Sequence, residues 1–580
     1  MTSLFTDPKG SNRAVGAHFA EPRPRHRAVL VHGSWRRVTR RIVCGLACAL
    51  TVSSLLMPSV SLAAEWVNVG GTQYNAGTAA GDDAGTWSWD GADDMKLNGY
   101  NGGAIEAEGK LNVSYSGNNT VTNDDGCGIS VENGVNENAE LNIQGGASDT
   151  LNVSSSSDAI ISDGDITIVG AGTVNATSTE ADAIDAKGDL TIKGSGNVNA
   201  TGDSDGIRAD GNVTIDNSGT VTAKATDDQG IDANENLTIK GGGKVEASSV
   251  KDEAIEADGN IEISGGSQVK ANSEEDYAVD AEGSLTVTNA SLNASGVGYG
   301  IYVYKGITLD GATVTVRAGA GSDEVIALYT DEDDIFIKNG STVDAFAEGK
   351  FSVAISTRNY YSNEAGGHIY ISDSVVKAIA RYAETGGDGP DHYSGDQDGE
   401  TIPESNGLNI GIFAQTYEGI TPATISIVRS KVTAEGDTAA IFALAMSEDG
   451  EAIGTIEIKD AIIQTPEGGK VIDYRHKEEL GDGVMYEAGQ TIGTGDAAID
   501  SPYNEAVAKK AVIAPPEETK PDSKPEGTKT TKTVAAATAG AKTAGTLAAT
   551  GDASSAAIAA TALAGTAVIA AGAVVSRKRS

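Results

Sequence analysis

Cysteine is nearly absent from this chain of 580 residues, which holds only Cys44, Cys48 and Cys127. The first two lie in a segment with the features of a removable leader, so one thiol remains and no intrachain disulfide can form. Positive charge is also in short supply. Against 82 Asp and Glu stand 42 Lys and Arg, giving a formal net charge of −40. Such a surface repels nucleic-acid phosphates and anionic membranes, which excludes nucleic acid as a partner, and it favours divalent cations that take carboxylate oxygens. Aromatic residues make up only 5%. No stretch of the middle of the chain sustains a 3.6-residue apolar period, which excludes a helical bundle. No HExxH motif and no Cys/His pair offers a metallopeptidase or thiol-nucleophile site. Glycine, by contrast, is abundant, with 73 residues.

The two ends carry addressing features. Arg36, Arg37, Arg40 and Arg41 precede an apolar run from Ile42 to Met57, followed by Pro58 and small residues up to Ala63 and Ala64. That order is a secretory signal cleaved after Ala63 or Ala64, so residues 1–64 are expected to be removed. Residues 515–546 open as a Pro/Lys/Glu/Thr-rich spacer with almost nothing to bury. Residues 547–580 then give Leu547-Ala548-Ala549-Thr550-Gly551, an apolar run from Ala553 to Val575 and a basic tail, Arg577-Lys578-Arg579. The run is long enough to span a bilayer and the tail would hold its end inside. This triplet resembles a Gram-positive sortase sorting signal of the LAxTG type. The resemblance implies cleavage between Thr550 and Gly551, sortase and peptidoglycan as partners, and a cell-wall-anchored protein outside the cell. A retained membrane anchor is the alternative.

The middle is one unit repeated. Ile160, Ile184, Ile207, Ile231, Ile255, Val279, Ile301, Ile326 and Ile355 each follow Ala, Gly or Val in similar settings, at steps of 24, 23, 24, 24, 24, 22, 25 and 29 residues. Within each unit three short segments alternate apolar and polar, separated by Gly-rich turns, as in Ile184-Asp185-Ala186, Leu190-Thr191-Ile192 and Val198-Asn199-Ala200. Period-two alternation predicts strands, and one column of residues recurring every ~24 positions predicts stacked coils rather than a hairpin meander. The expected fold is all-β: a right-handed parallel β-helix of roughly a dozen coils over residues 101–465, three strands per coil. At ~4.8 Å per coil this is a monomeric rod near 60 Å long. Residues 65–100, with Trp66, Trp87 and Trp89, are expected to cap the first coil and residues 466–514 the last, because an uncovered end would expose a strand edge.

Acidic residues accompany the isoleucine column. Asp185, Arg208, Asp232, Glu256 and Asp280 follow it, with outward side chains expected. Asp158, Asp182, Asp205, Gln229 and Glu253 stand two positions before it, and Asp163, Asp210, Asp258 and Glu282 stand three after. Carboxylates stacked at ~4.8 Å repel by about 1 kcal/mol even in water. Arg208 relieves this locally, and calcium would relieve it elsewhere, since it accepts six to eight oxygens. The candidate ligands are Asp182, Asp185, Asp205, Asp232, Glu253, Glu256, Asp258 and Asp280. A solvated acidic face that aids solubility is the plainer alternative.

The unit D-[A/G]-I-[D/E]-A-x-G-x-L-T-I-x-G-x-G-x-V-x-A, as in residues 182–200 and 253–271, resembles the clostridial-type carbohydrate-binding parallel β-helix family. That resemblance implies a secreted protein that binds calcium in its turns and takes plant polysaccharide, including acidic pectic chains. The chain departs from the unit at Arg208, Gln229 and Tyr277, which puts metal sites in those coils in doubt. Tyr360, Tyr361, Tyr382, Tyr393 and Tyr417 gather around a long insertion, and exposed rings there would stack on sugars. The expected function is calcium-assisted capture of acidic polysaccharide at the cell surface, without catalysis. An adhesin stalk that meets host protein, and a polysaccharide lyase with Arg208 as its base, are the rivals. An always-protonated Arg argues against the lyase.

Overall fold

Three short strands separated by tight turns make one coil, and the coil at 184–201 shows the pattern. Ile184–Ala186, Leu190–Gly194 and Asn197–Thr201 each alternate inward apolar and outward polar residues. Each strand pairs in parallel with its counterparts before and after. Ile160, Ile184 and Ile207 are register partners, as are Leu190 with Val213 and Val198 with Val221. Repetition yields three sheets, named here by their outward residues as the acidic sheet, the threonine sheet and the asparagine sheet. The threonine sheet has 16 strands and the asparagine sheet 15. The protein is therefore a parallel β-helix. The computed structural model describes residues 64–134, 139–319, 321, 324–359, 366–383, 409–417, 423–436, 439–446, 454–465, 472–474, 504–507 and 510–516, all within the compact unit Met1–Glu517.

No coil can bury its apolar side chains alone; the neighbours above and below supply the rest of the core. Columns such as Leu190/Val213/Leu237/Ile261/Leu285/Ile307 and Ala176/Ala200/Ala223/Ala247/Ala271/Ala294 run in register and are buried. Ile231, fully buried between Ile207 and Ile255, is a clean test. Ile231→Ala is expected to cost about 2–5 kcal/mol. Because stability in a stacked array is local, native-state hydrogen exchange should show the loss in residues 207–257 and leave distant coils unchanged.

The isoleucine column departs from the sequence expectation after Ile301. Its register partner is Leu328, and Leu328 pairs in turn with Ile355, two equal steps of 27 residues. Ile326 belongs instead to the column of Tyr299 and Val353. The cause is strand length. The acidic-sheet strand lengthens from three residues at Val279–Ala281 to seven at Glu324–Thr330, and both faces of that longer strand are apolar. Ala327 and Leu328 both join the main core while Ile326 and Tyr329 belong to a separate apolar cluster, so the alternation breaks and the residue nearest the expected spacing is not the core one.

The backbone turns are held by a ladder that the apolar pattern did not reveal. Asp165, Asp189, Asn212, Asn236 and Asn260 occupy the turn before the threonine sheet. Each Oδ1 accepts the backbone N–H of the corresponding residue in the next coil, at 2.8–3.2 Å. The recurrence of Asp or Asn immediately before Ile166, Leu190, Val213, Leu237 and Ile261 was the available signal. At the turn after the threonine sheet a left-handed residue recurs: Asn289, Asn339, Asp373, Arg429 and Asp460 all have φ near +50°. Arg429 is poorly suited to that conformation. Its guanidinium forms two 2.7 Å hydrogen bonds to Asp373 of the same turn one coil earlier.

Antiparallel strands close both ends. Trp66–Val69 lies antiparallel on Ile105–Glu108 and on Thr72–Asn75, and Trp87–Trp89 lies antiparallel on Asp94–Asn98. The parallel stack begins at Asp94–Asn98, which pairs with Lys110–Ser116. At the far end Lys510–Ala514 lies antiparallel on Lys431–Glu435, and Asn504–Val507 on Ala439–Met446. A strand running against the coil occupies the open edge without continuing the spiral. Ala64 is buried in the core. Ala63, Thr550, Gly551 and the run from Ala553 to Val575 lie outside the described residues. Among the described residues no helix is long and apolar enough to cross a membrane.

Candidate carbohydrate and cation site on the acidic sheet

The acidic sheet is the narrowest of the three over residues 160–281, where each strand contributes three residues and one outward side chain. Asp185, Arg208, Asp232, Glu256, Asp280 and Tyr302 stack in that outward column. Outward does not mean exposed: Asp185, Arg208, Asp232 and Asp280 are all buried, as are Asp182, Asp205 and Glu253 beside them. The turns beside so short a strand contribute side chains that pair with its outward residues, as Asp210 does with Arg208. Lys187, from the turn after Asp185, pairs with its carboxylate. This arrangement corrects the reading of a solvated acidic face. Charge this deeply withdrawn from water is costly unless paired or neutralised.

Arg208 divides the column. Its guanidinium reaches Asp210 at 2.5 Å, Asp232 at 3.2 Å, Asp185 at 3.4 Å and Asp205 at 3.8 Å. Burial disfavours its charge, but the carboxylates of Asp185, Asp232, Asp210 and Asp205 outweigh burial and raise its pKa further. A guanidinium held so firmly protonated is poorly suited to the role of a lyase base.

On either side of Arg208 lies a group of carboxylates. Asp158, Asp182 and Asp185 offer oxygens that all lie within 4.8 Å of one another, and so do Asp252, Glu253 and Asp276. Backbone amides fix several of them. Asp158 Oδ1 accepts from the Asp182 N–H at 3.1 Å, Asp182 Oδ1 from Asp205 at 2.9 Å and Asp205 Oδ1 from Gln229 at 2.9 Å. Each bond engages one oxygen, so this column is a backbone ladder as well as an acidic one. Gln229 Nε2 donates to Glu253 Oε2 at 3.2 Å. Glu256 stacks on Asp280, and the charge of Asp258 bears on both. Asp90, Asp93 and Asp94 form a third, more exposed group in the first cap, where Asp90 accepts from the N–H groups of its own turn.

Protonation reflects this crowding. Burial, reinforced by Asp182 and Asp185, pushes the Asp158 carboxyl up to about 8. Burial with Glu282 and Asp276 pushes Asp280 up to about 8. Glu253 and Glu256 are raised well above the usual range, again chiefly by burial.

Beyond Asp280 the column changes from acid to aromatic. Tyr302 stacks under Tyr329, and with Tyr277 and Tyr299 they pack at centroid distances of 4.8–5.8 Å. Arg358 lies 5.6 Å over Tyr329 and pairs with Glu324 at 2.6 Å. The sequence expectation for sugar stacking does not include these tyrosines, although Tyr302 occupies the slot that holds acid in earlier coils. Of the tyrosines it does include, Tyr382 lies exposed just after Val375–Arg381. Tyr417 ends the strand Asn409–Tyr417, and its side chain lies outside the described residues, as do Tyr360, Tyr361 and Tyr393. Gly202-Asp203-Ser204-Asp205-Gly206 has the spacing of a nucleophile elbow, but it leads into the strand Ile207–Ala209 rather than a helix, so the required context is missing.

The fold and this column define a parallel β-helix with an ordered acidic tract along one sheet. Residues 149–374, which contain the whole tract, match a family model described as "Carbohydrate-binding domain-containing protein". No curated protein and no solved structure matches the chain. The family match supports carbohydrate binding, and a binding role rather than a catalytic one.

Proposed function

We propose that this protein captures acidic polysaccharide at the outer surface of a Gram-positive cell with the assistance of calcium. The observation that carries the proposal is the pair of partly buried, all-oxygen carboxylate groups, Asp158/Asp182/Asp185 and Asp252/Glu253/Asp276, set in the region that the carbohydrate-binding model matches. Their donors suit a hard cation that prefers oxygen. Asp158, Asp252 and Asp276 are the less buried members and form the open side of each group. A bound calcium ion would supply positive charge at that side. The protein carboxylates would hold it, and a uronate carboxylate or sugar hydroxyl arriving from solvent would find unfilled coordination there. Asp205 and Asp232 have a different part: they pair with Arg208, whose guanidinium separates the two groups. The address features at both ends favour secretion followed by attachment through Thr550 to the wall.

The test is polygalacturonate binding by the full chain, with calcium and after chelation. Binding is expected with calcium and lost without it. Asp182→Asn together with Glu253→Gln should weaken it at least tenfold while the coils stay folded. Binding that survives chelation unchanged would remove the cation from the mechanism.

A further inference from the structure

The outer face of the threonine sheet carries a second feature, away from the acidic tract. Thr167, Thr191, Thr214, Thr238, Glu262, Thr286 and Thr308 form one outward column in register. The next two positions in that column are Phe336 and Tyr370, followed by Ser426 and Glu457. Two rings thus interrupt a line of small side chains. They stack on each other at 5.0 Å between centroids and 10° between planes. At that separation the rings are slipped rather than eclipsed, so the pair leans along the sheet. Phe336 is 38% exposed, a high value for a ring with a stacking partner, and its neighbour on the other side is only Thr308.

Polar groups border the rings. His368 lies 5.9 Å from Tyr370 between ring centroids. Its Nδ1 accepts the Thr424 N–H at 3.2 Å, which places the ring proton of the neutral imidazole on Nε2 as a donor. Thr424 and Thr455 continue that flanking column, their hydroxyls 3.3 Å apart. Asp334 and Glu457 also stand on this face, so a uronate chain would meet like charge. An open ring face beside a hydroxyl-bearing strip, with a neutral donor at its edge, matches the apolar C–H face and hydroxyl rim of an uncharged pyranose. Phe336, His368 and Tyr370 all fall within the residues matched by the carbohydrate-binding model.

We propose that Phe336 and Tyr370, with His368 at their edge, form a cation-independent stacking site for a neutral glycan on the outer face of the threonine sheet. This site rests on the carbohydrate-binding reading above but uses a different sheet and no metal. One chain would then engage two sugar chemistries: acidic chains on the acidic sheet and uncharged chains here.

The experiment is calorimetric titration of the full chain, in chelator, with neutral hexasaccharides of β-glucan, xylan and mannan type, alongside polygalacturonate in calcium. The parent is expected to bind at least one neutral hexasaccharide in chelator. Phe336→Ala should weaken that binding about tenfold, while Phe336→Tyr retains it. Both variants should bind polygalacturonate as the parent does, which shows that they fold. Equal neutral-glycan affinity of parent and Phe336→Ala, or a parent that takes polygalacturonate but no neutral hexasaccharide, overturns the stacking site and leaves the acidic-sheet proposal standing. A parent that binds neither kind of glycan overturns both.

Discussion

Replacing Arg208 with methionine is expected to destabilise the coils around it by about 3–5 kcal/mol at neutral pH. The guanidinium sits among Asp185, Asp205, Asp210 and Asp232, and of these only Asp210 opens appreciably to water. Methionine preserves much of the apolar stem but leaves two or three buried carboxylates without compensation. Removing one partner of a buried ionic cluster is far more damaging than replacing the whole cluster, because the remaining charge stays desolvated. A triple variant that adds Asp185→Asn and Asp232→Asn should therefore recover much of the loss. The readout is hydrogen exchange at residues 184–186, 207–209 and 231–233, since a stacked array loses stability locally. The variant also joins the two carboxylate groups into one tract, so calcium should protect it more than it protects the parent. A change below about 0.5 kcal/mol would mean that Arg208 contributes no more than a surface ion pair.

The coils were legible in the sequence because the side-chain period of a strand is two and the coil repeats near 24 residues; both signals survive in one sequence. The register of the Ile184, Leu190 and Val198 columns followed directly. The signal failed at Ile326, where a lengthened apolar strand turns two successive residues, Ala327 and Leu328, into the main core and breaks the period of two. The acidic column was legible as a list of residues, but its burial was not. Exposure depends on the turns that flank a three-residue strand, and alternation describes only the strand. Likewise Asp158, Asp182 and Asp205 were visible as acids but not as acceptors for the next coil's N–H groups, because that role is set by backbone geometry. Phe336 and Tyr370 were within reach. Each stands between two isoleucines in the slot that Thr191 occupies between Leu190 and Ile192, and aligning that slot through residue 370 brings the rings together.

The same burial makes stability respond to pH in a direction that calcium should reverse. Asp158 and Asp280 have ordinary values near 3.8 and are pushed up to about 8 in the folded chain; Glu253 and Glu256 move the same way. A carboxyl raised on folding holds its proton more tightly in the native state. Its contribution to stability is fully present below the unfolded value and is lost as pH rises through the folded value. The melting temperature of the cation-free protein should therefore fall between about pH 4 and pH 8 and then level off, with a loss of several kcal/mol shared by the coils that carry these groups. Glu140, Asp82, Glu246 and Asp373 shift downward and act oppositely, but they are solvent-exposed or nearly so, and their influence is confined to acid pH. Calcium takes the ionised carboxylates, so its binding expels protons and strengthens as pH rises across the same window. With calcium the fall should be greatly reduced, and a pH-stat at pH 7 should record proton release on addition. Asp158→Asn should flatten the cation-free profile and diminish that release. If calcium left the profile of the parent unchanged, the buried carboxylates would be neutralised by protons alone, and capture of a glycan through a shared cation would lose its basis.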